Sequence, residues 1–199
     1  MAGFHDITGG RAKPLRVYLA GPEVFFDNPV AQGIQKKRIC AEFGFEGVFP
    51  LDNEINARNL SPEALARAIS HGNEALMRSS DLIVANCTPF RGASMDSGTA
   101  FEIGFMRALG KPVLGYSNVA ADYARRVRST PQEVHASWDI ETRRADIEDF
   151  GLAENLMIAI AVLDTGGEFV VRDVAPDRVL SDLQGFRDCL ALARRALAV

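Results

Sequence analysis

The sequence is poor in the features that mark secreted, metal-binding and membrane-spanning proteins. It has only three cysteines among 199 residues, and Cys40, Cys87 and Cys189 lie far apart, so they predict neither a disulfide framework nor a zinc site. The N-terminal segment lacks the apolar core of a signal peptide, and no apolar run approaches the roughly 20 residues that cross a membrane. We therefore expect a cytoplasmic protein with buried cysteines and no membrane partner.

The sequence also gives little sign of a nucleotide cofactor or a nucleic-acid partner. Neither GxGxxG nor GxxxxGK[ST] occurs. A net charge of -4 is unsuited to a phosphate backbone, which requires concentrated Lys and Arg. The one basic cluster comprises Arg125, Arg126 and Arg128, and it predicts the solvated face of a helix. The sequence thus predicts no cofactor, no bound metal and no nucleic acid.

Alternating apolar runs and amphipathic patterns predict the fold. Residues 1–14 are rich in glycine and polar groups and predict a flexible arm, followed by one domain over 15–199. Short apolar runs predict strands at 16–20, 47–51, 81–86 and 111–116, with a late edge strand at 167–173. Helical patterns occupy 28–43, a stretch from Ser61 interrupted near Gly72, 97–109, 151–163 and 181–198. This order predicts a flavodoxin-like or Rossmann-like α/β three-layer sandwich, with a mostly parallel sheet of about five strands.

Ligands of such sheets bind beyond the carboxyl ends of the strands. Three segments would meet there: AGPEVF after the first strand, PLDNE after the second and CTPFRGASMDSGTAFE after the third. We therefore expect substrate contacts from these segments. The candidates are Gly21, Phe25, Asp52, Glu54, Phe90 and Arg91.

The run DSGTAFEIG, residues 96–104, is the most informative part of that edge. Asp96 stands where a helix cap belongs. Glu102 lies four residues after Gly98, so both share one helix face, and the missing side chain of Gly98 would leave room above the carboxylate. Apolar neighbours surround Glu102, which is unusual for a charged side chain that has neither a bonding partner nor a functional role. A surface glutamate behind a simple cap is the alternative interpretation.

The motifs YLAGPEVF, PLDNE, SSDLIVANCTPFRG and DSGTAFEIGFMRALGKPVLGY, in this order, resemble the nucleoside 2-deoxyribosyltransferase family. The resemblance covers about residues 16–116, and a weaker similarity extends to FGLAENLM at 150–157. It implies an enzyme that moves 2-deoxyribose between nucleobases, with 2'-deoxynucleosides and free nucleobases as its partners. Retention of configuration and ping-pong kinetics are expected of such a double displacement.

The resemblance also implies roles for individual residues. Glu102 matches the glutamate that attacks the anomeric carbon, and Tyr18 matches a tyrosine that holds this carboxylate. Asp96 matches an aspartate that binds sugar hydroxyls, and Glu54 matches a position near the base. Asn155 matches an asparagine lent by a neighbouring subunit, which implies a homo-oligomer, a dimer or larger, with shared active sites.

The sequence departs from the family at the residue that would protonate the leaving base. Relatives carry an aspartate where this chain has Asn73, and an amide cannot shuttle a proton at neutral pH. The acid is therefore absent, replaced by Glu54 or supplied by water.

Aromatic and basic residues at the same edge allow two interpretations each. Phe25, Phe26 and Phe90 could form an apolar shelf that stacks the base, or they could belong to the core. Arg91 could orient its loop by pairing with Asp96 or Glu54, or it could face a phosphate, and we favour the structural role.

Two rival functions remain open at this stage. A 2'-deoxynucleoside 5'-monophosphate N-glycosidase would use the same nucleophile with water as acceptor, and Ser94 and Ser97 could bind its phosphate. A nucleoside-binding module without catalysis is the second rival, but it would leave Asp96 and Glu102 without a task.

Overall fold

The computed structural model describes residues 13–53, 55, 58–130 and 147–197. Most of the predicted N-terminal arm, residues 1–12, lies outside this part of the chain. The described residues form five strands: β1 (Arg16–Ala20), β2 (Glu46–Val48), β3 (Leu82–Asn86), β4 (Val113–Ser117) and β5 (Phe169–Val171). They also form six α-helices: α1 (Pro29–Glu42), α2 (Pro62–Ser79), α3 (Ser97–Ala108), α4 (Tyr123–Ser129), α5 (Leu156–Asp164) and α6 (Gln184–Ala196).

The five strands pair into one sheet of order β2-β1-β3-β4-β5, and every pairing is parallel. This is the flavodoxin-like strand order, so the predicted fold class is confirmed. Because the strands are parallel, all their carboxyl ends lie at one edge. The strand order changes direction between β1 and β3, and a crevice opens there in folds of this kind.

Helices cover both faces of the sheet. On one face α1 and α6 bury Ile39 and Phe186 against Val17, Leu19 and neighbouring strand residues. On the other face α2, α3 and α5 bury residues such as Met77, Ile103 and Val162 against the alternate strand positions. The alternation of side chains along β1 sends Tyr18 to the second face, toward α3.

Three local predictions differ from the structure. The second strand ends at Val48 because Pro50 has no amide hydrogen and starts a 3-10 turn, Pro50–Asp52. Helix α2 is continuous through Gly72, so the predicted interruption is wrong. A Cβ at Gly72 would lie 2.6 Å from the side chain of Asn53. The glycine therefore allows the Asn53 side chain to approach the backbone of α2 closely. Helix α5 begins only at Leu156.

The cysteines agree with a further expectation from the sequence. Cys40, Cys87 and Cys189 are buried free thiols, and burial raises the pKa of Cys40 to about 12. Within the described part of the chain, no helix has the length and apolar character needed to cross a membrane.

Candidate active site

Glu102 and Tyr18 meet between α3 and the sheet. Glu102 lies in the second turn of α3, on the side that faces the sheet, and Tyr18 stands in the middle of β1. The Tyr18 hydroxyl donates a hydrogen bond of 2.5 Å to Glu102 Oε1, and both side chains are buried. The phenol therefore fixes the position of the carboxylate. The predicted contact between these two residues is present.

The surroundings of Glu102 oppose its ionisation. Burial is the main cause, and it raises the pKa of Glu102 to about 7, with smaller increases from the charges of Asp96 and Glu23. The hydrogen bond from Tyr18 acts in the opposite direction. Burial, and then the charge of Glu102, raise the pKa of Tyr18 well above its ordinary value, so the phenol stays a donor. Glu102 is thus a weakly solvated carboxylate that changes charge near neutral pH.

Asp96 begins α3 as predicted. Its Oδ2 accepts hydrogen bonds from the Thr99 amide at 3.0 Å and the Thr99 hydroxyl at 3.3 Å. No hydrogen bond within the described residues uses Oδ1, so that oxygen can accept from a ligand. A Cβ at Gly98 would lie 2.9 Å from Asp96 Oδ2, so the glycine also makes room for the Asp96 carboxylate.

Phe25, Phe90 and Arg91 form an aromatic shelf on the loops that follow β1 and β3. The rings of Phe25 and Phe90 are stacked, with centroids 5.8 Å apart and planes 12° apart, and Phe26 packs at a tilt against Phe90. The Arg91 guanidinium lies 4.8 Å from the Phe25 centroid and 4.6 Å from the Phe90 centroid. Since 52% of Phe25 is exposed, the shelf is not ordinary core packing.

Arg91 packs against the aromatic shelf. No ion pair joins Arg91 to Asp96, although both residues lie in the described part of the chain. The Arg91 guanidinium instead packs on the aromatic rings. Its φ of +58° is a conformation that non-glycine residues rarely adopt, so the surrounding loop holds it in place. Glu54, the other predicted partner, lies outside the described residues.

The segment after β2 uses its polar side chains to hold itself together. Asp52 forms an ion pair with Lys37 and accepts a hydrogen bond of 2.9 Å from the Phe49 amide. The side-chain amides of Asn53 and Asn73 lie 2.9 Å apart, which ties this segment to α2. Asp52 is a predicted substrate contact, and Asn73 stands where relatives carry an acid. Both residues therefore have partners within the chain.

A buried ion pair fixes the loop that leads to Asp96. Arg126 binds Glu154 at 2.8 Å, and it also donates to the backbone carbonyls of Ala93, Ala121 and Ala153. Glu154 accepts from the Ser94 hydroxyl at 2.7 Å and from the Met95 amide at 3.3 Å. The prediction that Arg126 is solvated is wrong, because it is 6% exposed. A short arginine-rich stretch cannot show which of its members turns inward.

Asn155 caps α5. Its Oδ1 accepts from the Met157 amide at 3.0 Å, and its Nδ2 lies 3.0 Å from each carboxylate oxygen of Glu148. Its side chain is therefore held at the start of α5 by its own chain.

Sequence reasoning missed the buried ion pair between Glu23 and Lys36. The available signal was Glu23 itself, a charged residue inside the apolar stretch AGPEVFF, immediately after a buried strand. Lys36 gave no signal, because a lysine in an amphipathic helix is normally exposed.

The fold and the site define a flavodoxin-like α/β protein with a buried carboxylate bound by a phenol between the sheet and α3. A family model described as nucleoside 2-deoxyribosyltransferase matches residues 17–157. The chain belongs to the nucleoside 2-deoxyribosyltransferase family, a family of nucleoside-processing enzymes.

The chain is also similar to individual proteins. A 2-deoxyribosyltransferase of Leishmania mexicana superposes with a TM-score of 0.57 and is 31% identical, over 73% of this chain and 85% of that one. An uncharacterized protein of Schizosaccharomyces pombe is 35% identical over 134 residues, which are 65% of this chain and 64% of that protein. A Clostridium botulinum CMP N-glycosidase is a more distant likeness, with 16% identity over 89% of this chain and 98% of that one and a TM-score of 0.44.

Proposed function

We propose that the protein transfers 2-deoxyribose from one nucleobase to another through a covalent intermediate on Glu102. The Glu102 carboxylate attacks C1' of a 2'-deoxynucleoside, the bond from C1' to the base nitrogen breaks, and the base leaves with the electron pair. A nitrogen of a second base then attacks C1', the bond from C1' to the ester oxygen of Glu102 breaks, and the proton of that nitrogen passes to water or to Glu54. Two displacements at one carbon retain its configuration. The observation that carries the proposal is the buried Glu102 held by Tyr18 in a chain of this family.

The site is suited to the charge that this reaction develops. Breaking the glycosidic bond places positive charge on the sugar, and a carboxylate removed from water stabilises that charge more strongly than a solvated one does. Asp96 Oδ1 is available to accept a hydrogen bond from a sugar hydroxyl. Asn73 can donate a hydrogen bond to the leaving base but not a proton, so that proton comes from water or from Glu54.

The aromatic shelf supports transfer over hydrolysis. A base stacked on Phe25 and Phe90 would be held near the sugar, and an apolar surface there would keep water from the intermediate while bases exchange. Arg91 stiffens the shelf by packing on both rings.

The contacts of Ser94 favour a nucleoside over a 5'-monophosphate as the substrate. Its hydroxyl donates to the buried Glu154, so one of the two serines considered for phosphate binding is already engaged. The basic residues Lys36 and Arg126 are committed to buried ion pairs. Phosphate binding would therefore depend on Ser97 and Arg91.

A chromatographic assay tests the function directly. With deoxyinosine as donor, we expect deoxyadenosine to form when adenine is added, and we expect deoxyinosine 5'-monophosphate to react no faster than deoxyinosine. Release of hypoxanthine that ignores adenine, and that is faster with the monophosphate, would show that the protein is instead an N-glycosidase. Nucleoside binding without any turnover would show a binding module.

Tyr18→Phe should slow transfer and shift its pH dependence. The rate should fall in acid as Glu102 is protonated, with an apparent pKa of about 7 in the wild type. Loss of the phenol removes the interaction that lowers the Glu102 pKa, so the acid limb should move to higher pH. A hydrogen bond to a charged group contributes about 1.5–3 kcal/mol, which corresponds to roughly a 10- to 100-fold loss of kcat. Tyr123→Phe, which removes a phenol from α4, is the control, and an equal effect in both variants would contradict the role of Tyr18.

An exposed apolar surface supports the proposal that the protein is a homo-oligomer. Helices α3 and α5 pack side by side, and together they expose large apolar side chains. These residues are Phe101 (57%), Met157 (63%), Ile160 (37%) and Leu163 (49%). A second copy would cover this surface, which includes the start of α5 beside Asn155.

We expect Met157→Glu to dissociate the oligomer, because it places a charge on this surface at its most exposed apolar side chain. Light scattering should report a lower mass for the variant than for the wild type, and activity per subunit should fall if Asn155 completes a neighbouring site. Val30→Glu is the matched control, since Val30 is 60% exposed on α1, at the other face of the sheet. A wild-type monomer with full activity would refute both the oligomer and the shared site.

A further inference from the structure

The loop that leads to Asp96 has few backbone hydrogen bonds. Among the described residues, one bond between backbone groups involves residues 88–95, from the Phe90 amide to the Ser94 carbonyl at 2.9 Å. Loops of this kind move more than the helices and strands that they connect. Asp96 Oδ1 can serve a sugar hydroxyl only if the loop holds this residue in one place. A group from outside the loop is needed to hold it.

The buried carboxylate of Glu154 contacts the loop directly. Glu154 lies just before α5 and is 0% exposed. Its Oε1 accepts a hydrogen bond of 2.7 Å from the Ser94 hydroxyl, and its Oε2 accepts one of 3.3 Å from the Met95 amide. Because Asp96 follows Met95, the chain is fixed one residue before the cap of α3.

Arg126 strengthens this contact from α4. Its Nη2 lies 2.8 Å from Glu154 Oε2, and its Nε donates to the Ala93 carbonyl at 2.7 Å. The same guanidinium donates to two further backbone carbonyls, before α4 and before α5. The pair therefore binds three successive residues of the loop, 93–95, and joins them to two helices.

An ion pair without access to water is a costly way to stabilise a fold. Well-packed apolar residues of similar volume often serve equally well, because the attraction between two buried charges barely offsets their loss of hydration. Charged groups do, however, form strong hydrogen bonds with defined directions. Such bonds suit a loop that must present one oxygen atom to a ligand.

The conformation of Asp96 depends on this anchoring. Its Oδ2 is fixed by the amide and the hydroxyl of Thr99. With Oδ2 fixed, the direction of Oδ1 follows from the Asp96 backbone, which is extended, with φ -62° and ψ 134°. The Met95 amide that Glu154 binds lies immediately before that backbone.

We propose that Glu154, held by Arg126, is a positioning residue for the sugar of the donor: it fixes the loop through Met95 so that Asp96 Oδ1 meets a hydroxyl of 2-deoxyribose. The inference rests on the proposed function. Glu154 acts through Asp96 and does not touch the reacting atoms. Its loss should therefore weaken one contact to the sugar and leave the nucleophile in place.

The test is whether the effect of Glu154 disappears when the substrate lacks that hydroxyl. The variants are Glu154→Gln and Glu154→Gln/Arg126→Met, and circular dichroism checks their folding. The glutamine has one acceptor oxygen where the carboxylate has two, so it cannot hold all of the donors. The double variant leaves no unpaired buried charge. The donors are deoxyinosine, 2',3'-dideoxyinosine and 2',5'-dideoxyinosine, with adenine as the acceptor.

With deoxyinosine, both variants should have a kcat/KM roughly 10- to 100-fold below that of the wild type, as a small misplacement of a binding group produces. With the analogue that lacks the hydroxyl bound by Asp96, the wild type should itself be slow. The variants should then lose less than about threefold more, because the contact that they weaken is already absent.

Asp96→Asn is the reference for this pattern, because it keeps an oxygen that can cap α3 and replaces the other oxygen with an amide. It should depend on the same hydroxyl as the Glu154 variants do. Adding Glu154→Gln to Asp96→Asn should lower kcat/KM by less than about threefold, because both changes act on one contact.

Arg172→Met/Asp188→Asn is the matched control. It removes an ion pair of 2.7 Å between the end of β5 and α6, which packs on the other face of the sheet from α3. This control should keep the wild-type kcat/KM with every donor.

Two results would overturn the proposal: wild-type kinetics in the folded Glu154 variants, or a loss by the same factor with all three donors. The second result would mean that Glu154 only stabilises the fold. A wild type without transfer activity would refute the proposed function, whereas an active wild type with uniformly slow variants would refute only the role of Glu154.

Discussion

Glu102→Gln should lower the rate of deoxyribosyl transfer by at least about 1000-fold, as loss of a catalytic nucleophile does in other enzymes. The substituted amide keeps an oxygen that can accept the Tyr18 hydrogen bond, so the position of the side chain is preserved. It cannot form the covalent intermediate, because a neutral amide oxygen is a poor nucleophile. The steady-state rate with deoxyinosine and adenine measures this loss.

The same pair of proteins tests the intermediate itself. Acid quenching of a single turnover, followed by digestion and mass spectrometry, should place a deoxyribosyl adduct on the wild-type peptide that contains Glu102. The variant should show no adduct and should still bind nucleoside. Glu46→Gln, with the same change in charge, should keep the wild-type rate. Near-normal turnover by Glu102→Gln would reject this residue as the nucleophile.

The second large effect expected of Glu102→Gln is a gain in folding stability that depends on pH. The pKa of Glu102 is raised from 4.5 to about 7 in the folded protein. A group whose pKa is raised on folding favours the folded state fully below its unfolded pKa, and that contribution is lost as pH rises through the folded pKa. A shift of this size corresponds to about 3 kcal/mol. The variant lacks the titration, so it should be more stable than the wild type at pH 8 by up to about this amount.

Urea unfolding followed by circular dichroism at pH 4.5, 6, 7 and 8 measures the difference. The two free energies of unfolding should differ least at pH 4.5, where the carboxyl is protonated in the folded state and about half protonated in the unfolded state, and they should separate between pH 5 and 8. Glu46→Gln should follow the wild type at every pH, because Glu46 is on the surface. Parallel curves for Glu102→Gln and the wild type would show that the site does not destabilise ionised Glu102.

These two expectations express one physical property of the site. Burial makes the ionised carboxylate costly in the resting protein, and the same burial strengthens its attraction for a cationic sugar. The cost in stability and the gain in rate both come from holding Glu102 away from water between α3 and the sheet. A glutamate in solvent would have neither effect.

The site contains two buried ion pairs that act at different places. Arg126 and Glu154 fix the loop that ends at Asp96, and this bonding also engages Ser94. Glu23 and Lys36 lie behind the end of β1 and join the turn that carries Phe25 to β3 and β4. Each pair orders a loop on the carboxyl edge of the sheet, where backbone hydrogen bonds alone hold the chain less firmly.

The sequence by itself determined the architecture and the centre of the site. Apolar runs of five residues alternating with helical patterns were enough to predict the parallel α/β sheet, because each such element must bury one face. Asp96 could be recognised as the cap of α3, because capping depends on residues within one turn. The ordered motifs identified Glu102 and Tyr18 as partners 84 positions apart, and the structure brings them to 2.5 Å.

Only the tertiary structure decided which polar side chains turn inward. Arg126 and Lys36 look like ordinary surface residues in sequence, and each is buried because a partner from another element completes its hydrogen bonds. The side chain that lies closest to Gly98 is the carboxylate of Asp96. Arg91 packs on the rings of Phe25 and Phe90. Local pattern reports the propensity of a segment, whereas the burial of a charge depends on contacts between segments far apart in the chain.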